Sequence, residues 1–152
     1  MNIRLISGSR EPGFGFVLTL PKIITMDPKA NSLNWFEIPV TDMERAKHFY
    51  QVIFSHHMDE TEMMGMNMAV FPGENGDGKA HGALVQSANH KPSMEGITVY
   101  LNANPDMATV LEKVEPMGGK ILMPKTQITP EIGYMAFFID TEGNRIGLHS
   151  QH

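Results

Sequence analysis

The side chains with usable chemistry in this chain are few, and they sit on short apolar runs. Glu37 alternates with Phe36 and Ile38, so it faces away from the side that a packed helix would cover. A carboxylate in such a partly apolar setting holds its proton more tightly and can act as a general base; the plainer role is an ion pair with Arg145. His149 shares a run with Arg145 and alternates onto the same side, where it can serve as base, hydrogen-bonding group or metal ligand. Trp35, Tyr100 and Phe138 are expected to project to that side as well. Together they read as the wall of a pocket for a flat ligand; taken singly, each reads as packing.

The remaining histidines carry less. His56 and His57 are adjacent, so on an extended chain they point to opposite faces and make a poor chelate, and surface exposure is expected. His48, His81, His90 and His152 receive no role. The chain has no cysteine, which removes thiolate nucleophiles, disulfides and zinc–thiolate sites. Five of the 13 methionines fall between Met58 and Met68, a cluster better suited to filling gaps or adapting to a guest than to holding Cu(I). No glycine-rich phosphate loop, nucleophile elbow or paired-histidine zinc motif is present.

The elements that must position these groups come in two similar sets. Residues 35–40 alternate as a strand, and Thr41 with Glu44 three residues on forms a capping box opening a helix. Met43, Ala46, Phe49, Tyr50, Ile53 and Phe54 give that helix one apolar stripe. Strands are predicted at 58–62, 66–71 and 82–86, with a glycine-rich mobile turn over 72–79. The order then repeats. A strand at 97–101 leads to a helix capped by Asn104 with Pro105 at its first position, and Gly118-Gly119 supplies a left-handed stop. Strands at 120–123, 134–139 and 145–149 follow, the last two joined by a hairpin loop at 140–144. Both sets read βαβββ, over about 33–87 and 95–150, within one domain at 31–152. Residues 1–30 match nothing later and read as an N-terminal extension that adds an edge strand or stays loose.

Composition narrows the class. A chain of 152 residues amounts to about one domain, and 41% hydrophobic with 19% charged residues is globular. A net charge of −5 and the lack of any Lys/Arg run argue against a nucleic-acid partner. No apolar stretch approaches the roughly 20 residues a bilayer span needs. No membrane role is expected, and the reading is a soluble, cytoplasmic protein.

The run Trp35-Phe36-Glu37-Ile38-Pro39-Val40-Thr41-Asp42-Met43-Glu44-Arg45-Ala46, followed by Phe49-Tyr50, resembles the opening of the vicinal oxygen chelate superfamily. That group holds glyoxalase I, bleomycin-resistance proteins, fosfomycin-resistance enzymes and extradiol dioxygenases. Gly118-Gly119-Lys120-Ile121-Leu122 and the run from Phe138 to Leu148 resemble its second half. The resemblance covers about 33–150. It implies an α+β fold in which paired βαβββ modules form an open, cup-shaped mixed sheet with helices outside, around a pocket, in a homodimer.

The resemblance also implies four metal-ligand positions, which fall here on Trp35, Gly96, Gln86 and Gly147. Only Gln86 carries a group that can bind, so the usual divalent metal is expected to be absent. Two residues further along lie Glu37, Thr98 and His149, and a displaced site from Glu37, Gln86 and His149 is the minority alternative. The function expected is small-molecule binding without the usual metal centre. Trp35, Tyr100 and Phe138 would form its wall, and Glu37, Gln86, Thr98, Arg145 and His149 its polar contacts. The rival is a lyase, isomerase or dioxygenase using the displaced metal or Glu37 as base, with His149 as its partner. A third reading is a dimeric scaffold with a vestigial pocket.

Overall fold

Ten elements follow one another as βαβββ twice over. The first set is β1 (Trp35–Pro39), α1 (Met43–Phe54), β2 (Asp59–Met63), β3 (Met66–Val70) and β4 (His81–Gln86). The second is β5 (Tyr100–Asn102), α2 (Ala108–Val114), β6 (Lys120–Thr129), β7 (Gly133–Ile139) and β8 (Arg145–Ser150). The structure, a computed structural model, describes residues 31, 33–73 and 80–152. The extension expected over 1–30, and 74–79 of the expected turn, lie outside the described residues.

Each set builds a mixed, unclosed four-stranded sheet, in the orders β1-β4-β3-β2 and β5-β8-β7-β6. The first and last strands of each set are parallel neighbours, and the other pairs are antiparallel. The registers correspond. Ile38 pairs Leu84 and Leu101 pairs Leu148, four side chains on the helix-covered faces of their sheets. One step along, Glu37 pairs Ala83 and Tyr100 pairs Gly147, both on the faces that no helix of the described residues covers. The α+β architecture and the doubled βαβββ order are as expected.

The two sets share one core. Buried residues of α1, α2 and the helix-covered faces of both sheets form a single cluster. Phe49 of α1 meets Phe138 of β7 at 5.9 Å between ring centres, and Tyr50 meets Phe71, just past β3, at 5.5 Å. Burying side chains of this size stabilises the fold by roughly 1.5–3 kcal/mol each. The helix-free face of the first sheet has a smaller cluster, in which Met66, Met68 and Val70 pack with Ala83 and Val85.

The helix starts differ from expectation. Asp42, not Thr41, caps α1, its Oδ1 accepting from the backbone N–H of Arg45 at 3.0 Å. Thr41 is occupied elsewhere: Glu142, in the β7–β8 hairpin, accepts from its N–H at 2.9 Å and its hydroxyl at 2.7 Å. A contact between residues 101 positions apart thus replaced a local capping box. α2 begins at Ala108, whose N–H donates to Asp106 Oδ1 at 2.9 Å, while Asn104 accepts from the Gln151 N–H at 2.8 Å. Gly118, at φ +93°, does make the left-handed stop. β6 is longer than expected because it continues beside β7 through register shifts, with Pro124 on this edge strand.

Candidate functional site

Glu37 lies on the helix-free face of β1 with both carboxylate oxygens engaged. Trp35 Nε1 donates to Oε1 at 3.1 Å, and His90 Nε2 lies 2.8 Å from Oε2. His90 is fixed in turn by the Ser87 hydroxyl, 2.7 Å from Nδ1, in the turn that follows β4. Because β1 and β4 run parallel, that turn emerges beside the end of β1 and carries His90 onto Glu37. His90 was given no role from the sequence. Only the parallel pairing joins positions 37 and 90, and no local spacing signals it.

On the second sheet, Tyr100, Arg145, His149 and Phe137 share the helix-free face. Gly147 makes room there: a Cβ on it would sit 2.7 Å from the Tyr100 ring. The rings of Tyr100 and Phe137 meet edge-on at 5.5 Å, and the Arg145 guanidinium lies over Phe137 at 5.4 Å. Arg145 Nη2 donates to the Thr98 hydroxyl at 2.5 Å. His149 Nε2 lies 2.8 Å from the carbonyl oxygen of Ile132, so its ring is tied to the loop between β6 and β7.

Glu37 and Arg145, from different sheets, line one cavity of about 190 Å³ together with Lys91 and Ser93 of the segment after His90. Each is bonded to other partners, Glu37 to His90 and Arg145 to Thr98, rather than joined in the expected ion pair. Trp35 is 41% exposed and Tyr100 48% exposed, so both offer aromatic surface.

Two expected site residues lie elsewhere. Gln86 faces the helices, and its Nε2 donates to the Thr41 carbonyl at 2.8 Å. Phe138 is fully buried against α1, because β7 turns Phe137, not Phe138, to the helix-free side. Thr98 precedes β5; by register Tyr100 is the counterpart of Glu37. His56 also departs from expectation, being half-buried between Phe54 and Phe71.

Residues 32–148 match the Glyoxalase/Bleomycin resistance protein/Dioxygenase superfamily. The chain belongs to this superfamily. The "Putative glyoxylase CFP32" of Mycobacterium bovis is 31% identical over 118 residues, 76% of this chain. The chain spans only 44% of that relative's length. A glyoxylase-like domain-containing protein of Didymella fabae is 30% identical over 74% of this chain and 88% of its own. Among solved structures, a superfamily protein from Albidiferax ferrireducens aligns with a TM-score of 0.59 at 16% identity, covering 79% of this chain and 98% of that one. TnmS3, an antibiotic-binding protein from Streptomyces, aligns at 0.56 with 20% identity, covering 80% and 97%.

The superfamily resemblance implies a divalent metal, but the donors here do not fit one. Among the described residues no three His, Asp or Glu side chains are grouped so as to hold an ion. Glu37 and His149 already have other partners, and Gln86 is on the opposite face. No helix of the described residues is long and apolar enough to cross a membrane.

Proposed function

We propose that this chain is a small-molecule-binding member of the superfamily, taking a ligand with a flat apolar body and polar substituents on the helix-free faces, without the usual metal. The carrying observation is the cavity that Glu37 and Arg145 line together, with Trp35 and Tyr100 exposed on the same strand faces. Aromatic surface provides the burial, and a fixed carboxylate and guanidinium orient the guest. An antibiotic-binding neighbour on the same fold is consistent with this reading. His149, tied to the Ile132 carbonyl, edges the same face as a further polar contact.

Trp35 is the only tryptophan, so its fluorescence reports on the site. Titration with bleomycin and with planar aromatic antibiotics is expected to change that fluorescence saturably for at least one compound. Tyr100→Ala and Arg145→Ala should each weaken that binding about tenfold. Unchanged affinity in both variants overturns the assignment.

The enzyme reading, a lyase, isomerase or dioxygenase with Glu37 as base, is supported by the Ser87–His90–Glu37 chain, which could relay a proton. It asks Glu37 to release a hydrogen bond first, since both oxygens are occupied. If metal were held at Glu37 and His149, then Glu37→Gln and His149→Ala would lower metal content in elemental analysis; we expect no change. Pairing of two copies, which would bring a second set of faces to each site, is checked by light scattering, where a monomer at working concentration removes it.

A further inference from the structure

A larger cavity lies away from the Glu37–Arg145 site and the proposed function does not use it. Its volume is about 450 Å³, within the roughly 300–1,000 Å³ of small-molecule sites. It opens between the start of the first sheet and β5, and of the side chains proposed above it shares only Tyr100. One wall is a continuous run of tilted rings. Phe36 meets Phe71 at 5.5 Å, Phe71 meets His56 at 5.9 Å, and His56 meets Phe54 at 5.9 Å. Gly82 permits this wall, because a Cβ there would fall 2.3 Å from the Phe36 ring.

The wall contains one unmet polar atom. His56 is held by a bond to the backbone of Phe54, and its Nε2 is closed off from solvent with no partner among the described residues. Since Nδ1 is the nitrogen that bonds, it keeps the proton, and Nε2 is left as a lone-pair acceptor. Burial lowers the pKa of this imidazole, which keeps it neutral and preserves that lone pair. A buried acceptor without a donor is unfavourable, so a guest that brings a donor recovers something an apolar guest cannot. Charged guests are disfavoured, because burying a charge against this largely apolar wall is costly. Phe54 is half-buried with its ring 5.9 Å from that of His56, so the guest reaches Nε2 only by displacing this ring.

We propose that this cavity is a second binding site, for a neutral aromatic molecule carrying a hydroxyl group, of the phenol class, whose O–H donates to His56 Nε2.

The test compares two guests of one shape, 4-methylphenol and toluene, by backbone amide shifts of the full chain. The phenol is expected to shift amides at 54–56, 71 and 101–102 saturably, and to bind about tenfold more tightly than toluene. His56→Phe keeps an aromatic ring but removes the acceptor. It should bind toluene as before and lose the preference for the phenol. His56→Leu is the second variant, with the same loss of preference expected. Equal affinity for the two guests in the native chain overturns the proposal, whatever the variants do. So do shifts confined to Trp35, Glu37 and Arg145, or a tenfold preference that survives in His56→Phe. Bleomycin binding read at Trp35 is a separate measurement, so either site can fail without the other.

Discussion

At the scale of single residues, two glycines shape the candidate surfaces by what they lack. Gly147 lets the Tyr100 ring lie across β8, and Gly82 lets the Phe36 ring lie across β4. The two positions are not equivalent in consequence. Tyr100 is about half exposed and can tilt outward, whereas Phe36 is partly buried and packs against the core. Gly147→Ala should therefore cost little stability, under about 1 kcal/mol, while lifting Tyr100 off the sheet and weakening any ligand that stacks on it. Gly82→Ala should cost about 1–3 kcal/mol by overpacking and show as a lower thermal midpoint. Chemical denaturation of both variants checks the ordering. A Gly147→Ala loss as large as that of Gly82→Ala contradicts the account. Neither role was legible in the sequence, where each glycine is one more residue in a strand. Alternation did place Glu37, Trp35, Arg145 and Tyr100 on helix-free faces. It fails for Phe138 because the phase of β7 is set by its pairing with β8. Gln86 comes from the family resemblance rather than from alternation, and Leu84, in the core two residues before it, puts it on the helix-covered face.

At the scale of elements, the β7–β8 hairpin and the start of α1 are fastened by one carboxylate. Glu142 accepts from the N–H groups of Thr41 and Asp42 at 2.9 and 3.0 Å, from the Thr41 hydroxyl, and from Arg45 Nε at 2.8 Å. Burial alone would raise its pKa. The Arg45 guanidinium, the Thr41 hydroxyl and the two backbone donors outweigh that and hold it at about 2. Protons therefore bind more weakly to the folded chain than to the unfolded one, whose carboxyl titrates near 4.5. The stabilisation is complete above about pH 4.5, declines as pH falls toward 2, and is absent below that. Glu142→Gln should lower stability by about 2 kcal/mol at pH 7 and flatten the pH dependence between 5 and 2. Denaturant midpoints of both proteins across that range provide the check, and parallel curves would remove Glu142 from the role. The sequence showed the hairpin loop and the helix start correctly. It could not show that they meet, because local capping by Thr41 and Glu44 is an equally satisfactory use of the same residues until the second half folds onto the first.

At the scale of the whole molecule, the repeated βαβββ order suggests two separable halves, and the packing argues that they are one cooperative unit. Tyr50 of the first half is buried with its hydroxyl on Asp140 of the second, at 2.8 Å, and Asn144 donates to both Asp140 at 2.9 Å and the Pro39 carbonyl at 2.8 Å. Burial, followed by the charge of Asp140, pushes the Tyr50 hydroxyl well above its ordinary pKa, so it remains a donor at any working pH. Removing that donor leaves the buried Asp140 one hydrogen bond short. Tyr50→Phe keeps the ring contacts with Phe49 and Phe71, which confines the loss to the polar bond. The expected cost is about 1–3 kcal/mol. Because the lost bond joins the halves, both should weaken together. Trp35 fluorescence reports on the first sheet and far-ultraviolet circular dichroism on the whole chain. In the native protein and in Tyr50→Phe the two transitions should coincide, shifted by the same amount. If the Trp35 transition separates from the dichroism in either protein, the shared core does not make one folding unit. The cavity between Glu37 and Arg145 would then depend on two parts that can move apart, and ligand binding there would have to hold them together.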